Sequence, residues 1–246
     1  MKPLEHRTAI VTGASRGIGK AIAVAFAAAG ANIVVTARSR AGLDIVSAEI
    51  RALGQACHAV TADLAVAADI ERIADDALER FGRIDLLVNN AGIIHPVVDL
   101  VNFDPKLWRA VIDVNLTAPA LLMRSVLPNM IANRSGKIIN ISSIGGRQGA
   151  KGRSAYRATK AALINLTASV AAEVKAHGID VNCICPGAVD TPGYRETFGA
   201  QRLLERPKIM RPEEIAALAL FLASDAGSSI AGTAIDAVGA SGALFR

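Results

Sequence analysis

The chain has 246 residues, of which 52% are hydrophobic, 20% charged and 4% aromatic, and this composition excludes a disordered, collagen-like or disulfide-stapled chain. Its net charge of +5 comes from basic residues scattered along the sequence without a basic run, which argues against a nucleic-acid binder. The longest segment without a formal charge, residues 21–37, is shorter than the roughly 20 apolar residues of a membrane span, so we expect no membrane insertion.

The amino-terminal residues predict a cytoplasmic protein. Lys2, Glu5 and Arg7 occupy the region where a secretory signal would need an apolar run. The three cysteines are odd in number, and Cys183 and Cys185 would lie on the same side of one strand, where they cannot easily form a disulfide. This usage fits a reducing compartment, and the cysteine spacing is not that of a metal site, so we expect no metal.

Short apolar runs alternate along the chain with longer segments of helical spacing. The strand-like runs cover residues 8–11, 32–37, 56–61, 84–88, 137–141, 179–184 and 233–238, and the helical segments include 20–29, 70–81, 161–174 and 213–223. This alternation predicts an α/β fold with a doubly wound parallel sheet of about seven strands and helices on both faces. Because no linker interrupts the pattern, residues 1–246 are expected to form a single domain. Four glycines that follow helical patterns suit left-handed helix ends: Gly30, Gly54, Gly82 and Gly178.

A glycine-rich turn, TGASRGIG at residues 12–19, lies between the first strand and the first helix. Missing side chains let the backbone approach a pyrophosphate there, and the amino terminus of the helix attracts its negative charge. With the spacing TGxxxGxG, the chain resembles the short-chain dehydrogenase/reductase family. The resemblance implies a Rossmann fold, a nicotinamide cofactor and the loop contacts Gly13, Ser15, Arg16, Gly17, Ile18 and Gly19.

The end of the second strand bears on the choice between NAD and NADP. A site for NAD would place an acidic residue about 20 residues beyond the glycines, where it binds the ribose 2′-hydroxyl. Here the strand ends in TARS, residues 36–39. Arg16 and Arg38 offer two guanidinium groups for a 2′-phosphate, so we expect NADP(H) rather than NAD(H). The other interpretation of Arg38 is an ordinary solvated charge.

Two more strand ends carry residues that the family resemblance assigns to the cofactor. Asp63 and Leu64 follow the third strand and would contact the adenine, whereas Asn90, Ala91 and Gly92 follow the fourth and would lie along the cofactor. From the residues alone, Asp63 is equally a helix cap ahead of residues 67–81, and Asn90 is equally part of a turn.

Tyr156 and Lys160 are four residues apart in a helical pattern, which places both side chains on one helix face. A tyrosine has a pKa near 10, so proton transfer around neutrality needs a neighbouring positive charge, which Lys160 would supply. Ser143 follows the fifth strand and can donate a hydrogen bond to a carbonyl oxygen that gains charge.

Together with the glycine loop, these three residues resemble the Ser-Tyr-Lys triad of the family. The resemblance implies a hydride moving between nicotinamide and a substrate carbon, with Ser143 polarising the oxygen, Tyr156 passing the proton, and Lys160 lowering the tyrosine pKa and binding the nicotinamide ribose. It also implies that Asn115 holds a water that links the lysine to solvent. The residue alone favours a structural hydrogen bonder within a helix.

After the sixth strand, a Pro-Gly turn matches the family segment beside the nicotinamide carboxamide. The residues concerned are Pro186, Gly187, Val189 and Thr191. The other interpretation is an ordinary turn. The resemblance covers about residues 8–238, with modest departures at Thr159 and in the segment DAVGA, residues 236–240.

The segment 194–211 is expected to cover the substrate cleft. It mixes apolar with charged residues: Tyr194, Phe198, Leu203 and Leu204 with Arg195, Glu196, Arg202 and Glu205. The chain is similar both to 3-oxoacyl-[acyl-carrier-protein] reductases and to polyol or sugar dehydrogenases. The carrier-protein reductases present two basic residues near the active-site entrance; Arg134 matches one position, and His177 stands at the other.

Four basic residues flank the triad and either attract an anionic substrate or partner or form a solvated loop: Arg147, Lys151, Arg153 and Arg157. The expected function is an NADP(H)-dependent oxidoreductase that acts on a carbonyl or secondary alcohol, with a 3-oxoacyl thioester on an acyl carrier protein among the candidates. The alternatives are a polyol or sugar dehydrogenase and a non-catalytic NADP(H)-binding regulator. We expect a homotetramer or homodimer.

Overall fold

Seven strands form one sheet in which all pairings are parallel, in the order β3-β2-β1-β4-β5-β6-β7. The structure is a computed structural model that describes residues 2–199 and 209–239. The strands are β1 (Thr8–Thr12), β2 (Asn32–Ala37), β3 (Cys57–Thr61), β4 (Leu86–Asn89), β5 (Gly136–Ile141), β6 (Ile179–Pro186) and β7 (Ala234–Ala237). The predicted doubly wound α/β fold is confirmed, and each predicted strand lies within two residues of the observed ends.

The helices of the described residues connect these strands and cover both faces of the sheet. They are α1 (Gly17–Ala28), α2 (Arg40–Ala52), α3 (Ala67–Phe81), α4 (Pro105–Ile112), α5 (Ala118–Asn133), α6 (Ser154–Val174), α7 (Pro192–Phe198) and α8 (Pro212–Ala223). Residues along a strand point alternately to the two faces. Val11 therefore packs with α1, α2 and α8, whereas its neighbour Ile10 packs with α3, α5 and α6.

The order of the strands locates the cleft. The chain moves from β1 outward to β2 and β3, and then returns to the other side of β1 for β4. Ligands of doubly wound sheets bind at such a switch point, outside the carboxyl ends of the strands. The residues that follow β1 and β4 therefore face each other across the site.

Local backbone geometry agrees with two sequence expectations. Gly82 ends α3 with φ of 73°, and the other three glycines predicted at helix ends also have positive φ. Cys183 and Cys185 lie on the same side of β6, with both thiols free and their Sγ atoms 3.9 Å apart.

Pro105–Asn133 is a continuous helical stretch that is long and apolar enough to cross a membrane by length and composition alone. It consists of α4, a π-helical turn (Asp113–Thr117) and α5. Val111, Leu122 and Val126 of this stretch are fully buried in the protein core. A helix packed in a core passes the same length and composition test.

Candidate active site

A cleft runs along the carboxyl ends of the strands and widens into two cavities. The first, about 590 Å³, lies over β5 and β6, and the second, about 560 Å³, lies over β1 and β2. Five residues line both cavities: Ile18, Asn90, Gly92, Ile94 and Thr191. The two cavities are therefore parts of one groove.

The glycine loop forms the floor of this groove at the switch point. Gly13 and Gly17 have φ of 63° and 59°, a conformation that side chains disfavour. A Cβ atom at Gly19 would come within 2.4 Å of the Asn90 side chain and 2.5 Å of the Gly13 carbonyl oxygen. The loop is held from β4 because Asn90 donates to the Thr12 carbonyl, and the Thr12 hydroxyl accepts from the amides of Asn90 and Ala91.

The predicted cofactor residues gather along the groove. The second cavity is lined by Gly13, Ser15, Arg16, Gly17, Ile18, Arg38, Asp63, Leu64, Asn90, Ala91, Gly92 and Thr191, and the first adds Tyr156, Lys160, Pro186, Gly187 and Val189. Gly19 is the exception, since it is buried beneath the loop.

The residues present fit an extended dinucleotide. Thr36 lines the second cavity, and its buried hydroxyl has no hydrogen-bond partner among the described residues. Such a group needs a ligand or water to satisfy it. Asp63 does not cap α3: its carboxylate accepts from the amide of Ala65, two residues away, whereas Val66 stands at the helix start. The turn leaves Asp63 on the cavity wall.

Arg16 is held by an ion pair that bridges the glycine loop to α7. Its guanidinium makes a two-pronged contact with the Glu196 carboxylate, in which Nη2 lies 2.9 Å from Oε2. Both side chains are more than half exposed. Arg38 is exposed after β2 on the wall of the same cavity. Any anion that binds Arg16 from the cavity competes with Glu196.

Ser143, Tyr156 and Lys160 line the first cavity together. The Ser143 hydroxyl accepts from the amide of Gly145 at 3.0 Å, which leaves its hydrogen available to donate. The Lys160 ammonium donates to the carbonyl of Ile141 at 2.8 Å and lies 5.8 Å from the centre of the Tyr156 ring. The spacing of four residues on α6 does bring the two side chains to one face.

Burial dominates the protonation of this pair. It lowers the pKa of Lys160 from 10.5 to about 8. It also raises the pKa of the Tyr156 phenol above its ordinary value, against smaller lowering effects from the Ser143 hydrogen bond and the charges of Arg153 and Arg157. The expected lowering of the tyrosine pKa by Lys160 therefore stays a prediction.

Asn115 occupies the π-helical turn and is fully buried. Its side chain accepts from the amide of Ile93 at 2.7 Å and donates to the carbonyl of the same residue at 3.1 Å. A Cβ atom on Gly92 would lie 3.3 Å from the Asn115 carbonyl oxygen and 3.5 Å from the Lys160 nitrogen. The structural interpretation of Asn115 is thus supported, and its amide also lies beside the lysine.

The family follows from comparison with known proteins. A family model described as short chain dehydrogenase matches residues 7–201. The chain belongs to the short-chain dehydrogenase/reductase family. It is 42% identical to a 3-oxoacyl-[acyl-carrier-protein] reductase of Synechocystis sp., over 92% of each chain. It is 40% identical to a cis-4-hydroxycyclohexanecarboxylate dehydrogenase of Sinomonas cyclohexanicum, over 92% of this chain and 93% of the other.

A solved structure shares the fold at a TM-score of 0.90 and 32% identity, covering 97% of this chain and 99% of the other. It is the 3-ketoacyl-(acyl-carrier-protein) reductase of Brucella melitensis complexed with NADH. The resemblance read from the sequence is confirmed. This short-chain dehydrogenase/reductase is an oxidoreductase that uses a nicotinamide cofactor and acts on carbonyl or alcohol groups.

Arg134 and His177 match positions that were expected near the mouth of the cleft, but in this chain they lie elsewhere. Arg134 precedes β5 and His177 precedes β6, at the amino ends of these parallel strands, whereas Ser143 and Pro186 stand at the carboxyl ends. Arg134 donates to the carbonyl of Ala176, so the two positions are neighbours. Within one chain these positions do not reach the mouth of the cleft, because parallel strands put their two ends on opposite sides of the sheet, and the match of Arg134 to the carrier-protein reductases stays a prediction.

The four basic residues near the triad are held in different ways. Arg147 pairs with Asp236 of β7, and Arg157 donates to the carbonyls of Gln148 and Gly149. Arg153 is buried, donates to the carbonyl of His95 and stacks over the Phe198 ring. Exposed Lys151 lies 3.9 Å from Asp99. All but Arg147 line the first cavity.

The predicted cover of the cleft is described in part. Tyr194 and Phe198 of α7 line the first cavity, Arg195 pairs with Asp190, and Glu196 reaches Arg16. The remaining predicted cover residues lie outside the described residues: Arg202, Leu203, Leu204 and Glu205.

His95 and the buried hydroxyl of Thr36 in the second cavity were not singled out by the sequence. The imidazole of His95 contacts the backbone of Tyr156, 61 residues further along the chain. A lone histidine after a strand carries no motif of its own. Its position at the carboxyl end of β4 is the single signal that could have drawn attention to it.

Proposed function

We propose that the protein is an NADP(H)-dependent carbonyl reductase and alcohol dehydrogenase whose catalytic residues are Ser143, Tyr156, Lys160 and Asn115. The observation that carries this proposal is the convergence of a hydroxyl, a phenol and an ammonium group on one cavity that continues into the cofactor groove. Helix geometry alone does not explain this convergence, because Ser143 follows β5 whereas Tyr156 and Lys160 lie on α6.

The chain's own residues provide position and proton transfer. When bound, the nicotinamide supplies or accepts the hydride. Ser143 donates a hydrogen bond to the substrate oxygen and favours negative charge on it during reduction. Tyr156 gives its phenolic proton to that oxygen in reduction and takes a proton back in oxidation. Lys160 binds the nicotinamide ribose and stabilises the phenolate that remains. Asn115 fixes the backbone of Ile93 beside the lysine.

The preference for NADP(H) rests on the charges around the second cavity. Arg16 and Arg38 line this cavity, and the strand end at residues 36–39 carries no carboxylate. A 2′-phosphate binds guanidinium groups through charge-assisted hydrogen bonds. Because the Brucella relative was crystallised with NADH, NADH is the required comparison in every assay.

The proposed substrate is a 3-oxoacyl thioester carried by an acyl carrier protein. The names of the Synechocystis and Brucella relatives support it. Lys151, Arg153 and Arg157 give the first cavity a basic wall, and none of its described lining residues is acidic. A basic wall attracts an anionic partner or substrate. We also propose a cytoplasmic homotetramer or homodimer.

A second candidate substrate class is a cyclic hydroxy acid or keto acid. The Sinomonas relative is a dehydrogenase of such a compound. The same basic wall suits a free carboxylate, and Ile94, Val97 and Ile144 give the cavity an apolar side for a ring. A polyol or sugar would instead need many hydrogen-bonding side chains.

The deciding experiment follows NADPH and NADH absorbance against a panel of carbonyl compounds. The panel contains a 3-oxoacyl thioester on carrier protein and on a small thiol, a cyclic keto acid, keto sugars, quinones and simple ketones. We expect turnover with NADPH and the highest kcat/KM for the thioester. A higher value for the keto acid would select the second candidate, and one for keto sugars a sugar dehydrogenase. Absence of turnover across the panel would favour a non-catalytic regulator and contradict the proposal.

A further inference from the structure

His95 is buried next to the triad, yet the mechanism above gives it no task. It lies in the loop between β4 and α4 and is 1% exposed. Its Nε2 atom lies 3.2 Å from the backbone nitrogen of Tyr156, and its Nδ1 atom lies 2.6 Å from the carbonyl oxygen of Pro96. Both ring nitrogens are therefore engaged with the backbone.

These two contacts define the protonation state of the ring. A backbone N–H group can only donate, so Nε2 must accept from Tyr156. A carbonyl oxygen can only accept, so Nδ1 carries the hydrogen and donates it to Pro96. The neutral imidazole satisfies both partners. A second proton would place an N–H group of the ring against the N–H group of Tyr156.

The amide of Tyr156 needs this partner because of its place in α6. The helix begins at Ser154, so Tyr156 belongs to the first turn, whose N–H groups have no acceptor within the helix. The residue before the helix, Arg153, provides no side-chain cap. The first helical hydrogen bond runs from the amide of Arg157 to the carbonyl of Arg153 at 3.0 Å. His95 thus supplies the missing cap at the residue that carries the phenol.

The loop around His95 is fixed on several sides. Asn115 binds both backbone groups of Ile93, two residues earlier. Arg153, the residue before α6, donates to the carbonyl of His95 itself. The ring of Phe103 packs edge-on against the imidazole at 4.8 Å between centres. With these contacts, the loop connects the surroundings of Lys160 to the backbone of Tyr156.

We propose that His95 is a positioning residue for Tyr156: its neutral imidazole caps the amino end of α6 and holds the phenol against the substrate oxygen. This inference rests on the proposed role of Tyr156 as proton donor. A cap that only stabilised the fold would not change kcat. A displaced phenol would slow proton transfer, because general acid catalysis depends on hydrogen-bond distance to the substrate.

The cap is sensitive to acid. The charged group that faces the ring among the described residues is Arg153, which stands just before α6. Tyr156 presents its backbone, and the loop before α4 presents the uncharged Phe103. Burial lowers the pKa of His95 below its ordinary value of 6.5; the bond to Pro96 acts in the opposite direction, and the charge of Arg153 lowers it further. The ring is therefore neutral at a lower pH than an exposed histidine would be, and the cap is lost as the pH falls through the lowered pKa.

The test compares His95→Gln with His95→Leu. Glutamine can accept from the Tyr156 amide through its side-chain oxygen and does not titrate, whereas leucine fills the space without an acceptor. His58→Gln is the matched control, since His58 is half-buried on β3 with its Nε2 atom 3.9 Å from Asp76. Reduction of one carbonyl substrate is measured from pH 5 to 8. Carbonyl reduction uses Tyr156 and Lys160 in their protonated forms, which acidification preserves. A loss of kcat at low pH therefore arises from the protonation of another group.

We expect His95→Leu to lower kcat by about tenfold to 100-fold with little change in the KM for NADPH, as a misplaced catalytic group does. His95→Gln should keep kcat at pH 8 within about threefold, the size of one weak hydrogen bond. It should also lose the fall of kcat at low pH, the acid limb, that we expect of the parent. His58→Gln should keep that limb. A kcat for His95→Leu equal to the parent's, or an acid limb retained in His95→Gln, would overturn the proposal.

A second measurement does not depend on turnover. In 15N-labelled protein, the amide resonance of Tyr156 should shift with the ionisation of His95, and this titration should be absent in His95→Gln. A Tyr156 amide that does not titrate in the parent overturns the inference even if the enzyme is active. Loss of the proposed function would look different: the amide would still titrate, but the parent would turn over no carbonyl substrate. If His95→Leu fails to fold, the glutamine variant and the amide titration decide.

Discussion

The cofactor half and the catalytic half of the groove are built on neighbouring strand ends, but they hold their polar groups differently. Arg16 and Glu196 are 55% and 59% exposed, and Arg38 is exposed as well. In the catalytic half, Asn115, His95 and Lys160 are 0%, 1% and 4% exposed. In the cofactor half, water screens the charges. In the catalytic half, removing one buried polar group leaves its hydrogen-bond partner buried and unsatisfied. Substitutions should therefore have graded effects in the cofactor half and large effects in the catalytic half.

Tyr156→Phe tests the catalytic half most strongly. Removing the phenolic hydroxyl should lower kcat for carbonyl reduction by about 100-fold to 10,000-fold, the usual worth of a positioned general acid. Binding of NADPH should change little, because the ring remains. Steady-state turnover and NADPH fluorescence titration measure the two quantities. A variant with more than a tenth of the parent's kcat would show that the proton comes from another group.

Lys160→Met tests the protonation of the buried ammonium through stability. Burial lowers the pKa of Lys160 from 10.5 to about 8, so above pH 8 the folded protein loses a proton that the unfolded chain keeps until about 10.5. The unfolding free energy of the parent should then rise relative to that of the variant across this window, by on the order of 2–3 kcal/mol. Urea denaturation at pH 7.5 and 10.5 measures the difference.

The control for this comparison is Lys106→Met, which removes an exposed lysine from α4. Its stability should follow that of the parent at both pH values. If Lys160→Met also keeps the parent's pH dependence, the ammonium is not desolvated in the folded protein.

Arg38→Asp tests the cofactor half at a residue proposed to select NADP(H). The aspartate removes one proposed partner of the 2′-phosphate and adds a charge that repels it, so the ratio of kcat/KM for NADPH over NADH should fall by about tenfold to 100-fold. Arg80→Asp, an exposed charge reversal on α3, should leave the ratio alone. An unchanged ratio in Arg38→Asp would remove the argument for NADP(H) from this residue.

Glu196→Gln should give the smallest effect. The substitution frees Arg16 from an exposed ion pair, so the KM for NADPH should fall by no more than about fivefold while that for NADH stays the same. Glu49→Gln breaks the comparable Lys20–Glu49 pair and serves as the control. An equal change for both cofactors would mean that Glu196 acts through α7 rather than through Arg16.

Features encoded by neighbouring residues could be predicted from the sequence. The glycine loop, the spacing of Tyr156 and Lys160, and the strand ends all follow from patterns within a few neighbouring residues, and the family resemblance joined them into one site. The parallel sheet then brought them together, because its topology puts all these strand ends on one side.

Features that depend on tertiary distance could not be predicted. The cap from His95 to Tyr156 and the pairing of Arg16 with Glu196 join residues far apart in sequence. The position of Arg134 illustrates the same limit: a matched residue was assigned to the entrance, although the direction of β5 places it at the other end of the sheet. The balance between burial and neighbouring charge at Tyr156 likewise requires knowing how completely α6 is covered.

The π-helical turn at Asp113–Thr117 has a consequence for insertions and deletions. Such a turn accommodates one residue more than an α-helical turn of the same rise. Deleting a single residue there would remove the extra residue and give the turn α-helical spacing. Because the π-helical turn absorbs the extra residue, α4 and α5 would keep their relative rotation, and the change would fall on the turn that carries Asn115. Chimeras that exchange α4 between relatives should keep this turn at its present length.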